Sequence, residues 1–113
     1  MPSKNPQQRF HDIVENADRI LEYTSGLTYE QYESITLVRD AVERCFERIG
    51  EAAVKLGLQA EALFPSQPWK DIRGLDNNLR HEYDNVSSRT LWLSATGGDI
   101  ASLRDACKAQ SLT

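Results

Sequence analysis

Arg73, Asn77 and His81 recur at four-residue intervals in the stretch WKDIRGLDNNLRHEYD, flanked by Asp76, Arg80, Tyr83 and Asp84. On an α-helix, steps of four stack side chains on one face. One imidazole, one amide, two guanidiniums and a phenol therefore share a surface. These residue types suit metal-free phosphodiester cleavage, in which a histidine titrating near neutrality moves a proton while arginine and asparagine hold the phosphate oxygens. The catalytic set this predicts is His81 with Arg73, Asn77 and Arg80. Spacing alone favours a plainer outcome, a solvated helix face on which Asp76 pairs with Arg80 four residues on and with Arg73 three residues back.

Charge limits what such a face can do. Between Trp69 and Arg89, the cations Lys70, Arg73, Arg80 and Arg89 are cancelled by Asp71, Asp76, Glu82 and Asp84, and the whole chain carries a net charge of −4. Broad electrostatic binding to nucleic acid needs a concentrated positive surface, so DNA is not an expected partner and any RNA chemistry has to be local. His11 has no clustered partner and reads as a surface or packing histidine. Glu51, next to Gly50, is either a buried hydrogen-bonding anchor or a carboxylate on a polar face. Cys45 and Cys107 fall at apolar positions of helical patterns, as small buried hydrophobes rather than a disulfide or a catalytic thiol. Two cysteines and two histidines, all far apart, give no zinc spacing, and no cofactor is expected.

The elements that must position this face are helical throughout. Pro6 suits a first turn, and Phe10, Ile13, Val14, Ala17, Ile20, Leu21 and Thr24 follow at three- and four-residue spacing until Gly26. Thr28 with Gln31 makes a capping-box pattern for a short helix to about Ile35. Val38, Val42, Cys45, Ile49, Ala52 and Leu56 then mark a central helix, its stripe widened by Leu37, Ala41, Phe46 and Ala53. Gly50 within it costs about 1 kcal/mol against alanine, which suggests a close helix approach. Gly57 ends the helix, residues 63–68 connect, and Pro68 opens the helix that runs from Trp69 to about Tyr83, with Ile72, Leu75, Leu79 and Val86 as its buried stripe. A serine cap at Ser87-Ser88 introduces a last helix bearing Leu91, Trp92 and Ala95; Gly97-Gly98 breaks it, and Asp99 is placed to cap the part with Ile100, Leu103 and Cys107. No segment alternates as a strand.

The reading is all-α, an up-and-down bundle of four or five helices forming one domain over residues 1–113. No apolar run approaches the roughly 18 residues a membrane span needs, and the N-terminus lacks a secretory signal, so the expected place is the cytoplasm. A core this small often recruits a second copy, with Trp69, Trp92 or Leu63-Phe64 as contacts, and a homodimer is expected.

Ile49-Gly50-Glu51-Ala52-Ala53, then Pro68-Trp69-Lys70-Asp71-Ile72-Arg73-Gly74-Leu75, then Asn77-Asn78-Leu79-Arg80-His81-Glu82-Tyr83, then Leu91-Trp92, taken in that order, resemble the HepT-like family over most of the chain. The resemblance implies a dimeric HEPN-type bundle with the motif helices of both subunits facing one cleft. It also implies a metal-independent ribonuclease, the toxin of a type VII toxin-antitoxin pair, neutralised by a small MNT-type nucleotidyltransferase that transfers AMP to a tyrosine near the motif. His81 matches the family's catalytic histidine, Tyr83 its tyrosine and Asn77 the asparagine that commonly follows its arginine. Where the family has that arginine, this chain has Asp76, an anion that would repel the scissile phosphate unless Arg73 or Arg80 compensates. The alternatives that follow are a catalytically silent dimeric binding module and a nucleotide-binding partner of a nucleotidyltransferase.

Overall fold

The computed structural model describes residues 5–81 and 87–111, for Arg80 and His81 the backbone alone. Among the described residues seven helices follow one another: α1 (Pro6–Thr24), α2 (Tyr29–Ser34), α3 (Thr36–Leu56), α4 (Gln59–Leu63), α5 (Trp69–His81), α6 (Ser88–Thr96) and α7 (Asp99–Lys108). No strand occurs among the described residues, and the fold is all-α and HEPN-like. No helix among them is long and apolar enough to cross a membrane.

The local signals act as their chemistry requires. Asn5 accepts the Gln8 N–H at 3.2 Å ahead of Pro6, which opens α1. The capping box at α2 is complete: Thr28 Oγ1 accepts the Gln31 N–H at 3.2 Å, and Gln31 Oε1 accepts the Thr28 N–H at 2.9 Å. Gly57 closes α3 at a φ of 59°, in the region that favours glycine, its N–H shared between the carbonyls of Ala53 and Val54.

Phe10, Ile13, Ala17 and Ile20 of α1 join Val42, Cys45, Phe46, Ile49 and Leu56 of α3, and Leu103 and Cys107 of α7, in one buried core. Each large side chain so buried contributes about 1.5–3 kcal/mol. α3 is central, packing on α1 along one side and on α5 along another, while α7 closes over α1. Leu37 departs from the stripe assigned to it and is 81% exposed. At 100° per residue it shares its direction with Arg44, Arg48 and Lys55, on the solvated face of α3.

Three further details differ from the sequence reading. Trp69, expected as a contact for a second copy, is 1% exposed, and its Nε1–H donates to the Phe64 carbonyl at 2.8 Å, so it belongs to the core. Asp99 does not cap α7; Gly98, at a φ of 105°, stands at the cap position, and Asp99 is the first helical residue. Finally, α4 forms a single turn between Gly57 and the connection, seated on the buried Ala60.

Gly50 lets α5 come close to α3. A Cβ there would stand 2.6 Å from the backbone nitrogen of Asp76 and 2.9 Å from the carbonyl oxygen of Ile72. Both obstacles are main chain of α5 and cannot rotate away. Alanine would gain about 1 kcal/mol of helix propensity, but overpacking of this kind costs about 1–3 kcal/mol or more. Because both obstacles are backbone, the cost falls at the upper end of that range, and Gly50→Ala is expected to lower the unfolding free energy by about 2 kcal/mol net, read from the urea midpoint at unchanged slope; a variant as stable as the parent would show that the helices are not in backbone contact.

Candidate active site on helix α5

α5 is fixed along its apolar side. Trp69 anchors its first turn, Ile72 and Leu79 are buried and Leu75 is half-buried, the stripe expected from the sequence, whose last member, Val86, lies outside the described residues. Asp71 sits in the first turn, where a carboxylate complements the positive end of the helix dipole.

The polar side divides into engaged and open groups. Arg73 turns back to the corner between α3 and α4: its Nη2 pairs with the Glu61 carboxylate and donates to the Gly57 carbonyl at 3.3 Å. The side chain is only 23% exposed. The pairing with Asp76 that spacing suggested is replaced by Glu61, twelve residues away in the chain. Asp76 is half-buried, with its backbone against Gly50. Asn77 is exposed, and its side chain makes no hydrogen bond among the described residues. Arg80 and His81 complete α5 by their backbone, which places position 81 one turn beyond Asn77 on the same side of the helix. Tyr83 lies outside the described residues.

Two depressions border this region. One, of about 630 Å³, runs between α5, α6 and α7 over Ile72, Leu75, Leu91 and Leu103; neither Arg73 nor Asn77 lines it, so it faces away from the open amide. The other, of about 380 Å³, lies between α1 and α3 and is lined by Arg9, Asp12, Glu15, Arg19, Arg48 and Glu51 among others. Its charges are largely matched within their own helices: Arg9 with Asp12 at 3.4 Å, Arg19 with Glu15 at 2.6 Å, and Glu51 with Lys55 at 3.0 Å. Glu51 is thus a polar-face carboxylate, and His11, read as a surface or packing histidine, lies at the surface 3.3 Å from Glu15. Exposed i,i+3 and i,i+4 pairs contribute roughly 0.3–0.5 kcal/mol each and describe a solvated ion network. Among the described residues no group of three or more His, Cys, Asp or Glu side chains is gathered to hold a metal ion.

The model of the family described as Ribonuclease HepT-like matches residues 13–109, a span that contains Gly50 and all of α5. The chain belongs to the HepT-like ribonuclease family. A Methanocaldococcus jannaschii protein named "Putative RNase MJ1216" is 33% identical over 95 residues, covering 84% of this chain and 78% of that protein. A Thermococcus cleftensis protein named "Probable ribonuclease HepT" is 32% identical over 93 residues, covering 82% and 84%. A second M. jannaschii protein, "Putative RNase MJ0127", is 28% identical over 111 residues, covering 96% and 92%. No solved structure matches the chain.

As a HepT-like chain it keeps its thiols out of reach of chemistry. Cys45 and Cys107 are buried and free. Burial raises the Cys45 thiol above its usual range, against the opposing pull of Arg48, Arg19 and Arg44, and pushes the Cys107 thiol up to about 12. A protonated thiol is a poor nucleophile. The same shift makes the fold alkali-sensitive: from the ordinary value of 9.0 upward the unfolded chain ionises Cys107 while the folded chain does not, so stability present below that pH is lost as pH rises towards about 12. Thermal melts at about pH 8 and about pH 10.5 should show a smaller alkaline drop for Cys107→Ala than for the parent; equal drops would place the thiol in a solvated environment.

Proposed function

We propose that this HepT-like chain is a metal-independent ribonuclease. In this reading His81 moves the proton between the 2′-hydroxyl or leaving oxygen and solvent, and Asn77 and Arg80 hold the scissile phosphate. The observation that carries it is the open amide of Asn77 one turn before position 81, on a helix that lies wholly within the family match. An exposed amide with no competing partner can donate to a phosphate oxygen without first breaking another bond. The wider reading follows the family: a toxin that works as a homodimer, neutralised by an MNT-type nucleotidyltransferase antitoxin with Tyr83 as AMP acceptor. Exposed Val54, Leu58 and Leu63, around the end of α3 and α4, offer apolar surface for a second copy.

Asp76 supports a second reading, a catalytically silent dimeric module that keeps the fold and the nucleotidyltransferase contact. An anion at the family's arginine position disfavours a phosphate, and loss of one transition-state donor typically costs about 10²–10³ in rate. Incubation of the purified protein with cellular RNA in chelator separates the two. The ribonuclease reading expects slow cleavage by the parent, loss of it in His81→Ala, and a rise of about 10-fold or more in Asp76→Arg. An inert parent with activity appearing only in Asp76→Arg would establish the silent module. Coexpression with a nucleotidyltransferase should add AMP to the chain in intact mass and leave Tyr83→Phe unmodified; an unmodified parent would remove the antitoxin from the account.

A further inference from the structure

Arg73 has the residue type and spacing of a phosphate ligand, yet the structure gives its guanidinium other work. Nη2 is shared between the Glu61 carboxylate on α4 and the Gly57 carbonyl at the end of α3, in a half-buried position. Taking a phosphate oxygen would require breaking a charge-assisted pair and leaving Glu61 facing the incoming anion. Glu61 and Gly57 belong to the turn that precedes α5, so the contact ties α5 to that corner. One residue back along α5, the Ile72 carbonyl lies against Gly50 on α3. The Gly50 contact limits how closely α5 approaches α3, and the Arg73 contact joins the side of α5 to the corner between α3 and α4. Asn77 and position 81 stand one and two turns further along the same helix.

We propose that Arg73 acts on cleavage as a positioning residue, through Glu61 and the Gly57 carbonyl, setting the rotation of α5 and never contacting RNA. The inference rests on the ribonuclease reading of α5. Small rotations matter because a misplacement of about 1 Å at a reacting group can cost about 10²-fold in rate.

Single-turnover cleavage in chelator is compared for the parent, Arg73→Met, Glu61→Gln and the exchanged pair Arg73→Glu with Glu61→Arg, each checked for a cooperative melt. Loss of either partner should lower the cleavage rate by a similar factor, about 10-fold or more, with RNA affinity within about twofold of the parent. The exchanged pair should recover a large part of the loss, a coupling that a double-mutant cycle reads directly. Weakened RNA binding in Arg73→Met together with unchanged or faster cleavage in Glu61→Gln would overturn the proposal, because a phosphate ligand gains from losing its competing carboxylate. Amide spectra give a readout independent of activity: Glu61→Gln should shift the resonances of residues 73 to 81 while α7 stays in place. If the parent leaves RNA intact, the ribonuclease reading fails by itself; shifts confined to the neighbours of Glu61 would then overturn the clamp, and shifts spread along α5 would uphold it.

Discussion

The main chain of α5 rests on the main chain of α3 because residue 50 has no side chain. That contact, with Asp76 nitrogen and Ile72 oxygen where a Cβ would be, decides the depth at which α5 lies on the bundle. The apolar residues around it follow suit. Ile49, Ala52 and Ala53 are buried on α3, Ile72 and Leu79 are buried on α5, and Trp69 closes the end of the interface with its indole N–H satisfied by Phe64. α3 meets α1 on another of its sides, so one helix carries the packing information for both neighbours. The polar side of α5 is what remains after these demands are met.

Electrostatics then sorts that polar side. The half-buried guanidinium of Arg73 is drawn to the corner of α3 and α4, where a carboxylate and a carbonyl satisfy it, and Asn77 is left open to solvent. Asp76 adds a half-buried carboxylate to this side of α5, in a chain of net charge −4. In the α1–α3 depression, Arg9 and Arg19 are each paired with a carboxylate of their own helix, Asp12 and Glu15. The proposed phosphate recognition therefore rests on a few groups at the end of α5.

Much of this was legible in the sequence because it is local. The 3.6-residue period exposed the stripes of α1, α3 and α5, the Thr28–Gln31 pair gave its capping box away, and Gly50 inside a strong helix pattern marked a close approach. What depended on tertiary geometry was not legible. Glu61 as the partner of Arg73 requires the turn at Gly57 and the small helix α4 to bring a carboxylate across twelve residues, whereas spacing offers Asp76 three residues away. Trp69 looked like surface for a partner and became core because the Phe64 carbonyl reaches its indole. Leu37 looked like stripe and lies on the charged side of α3, an error of one residue in phase that hydrophobicity alone does not correct.

In the proposed ribonuclease, RNA meets the chain at Asn77 and the end of α5 while Arg73 stays with Glu61. The most direct measurement is an amide and arginine Nε–H titration of the labelled protein with a short RNA bearing 2′-O-methyl groups, which blocks cleavage, in the presence of chelator. Saturable shifts are expected at Asn77 and the residues after it, with the Arg73 Nε–H resonance unmoved. A shift of that resonance, or changes confined to the arginines between α1 and α3, would contradict it.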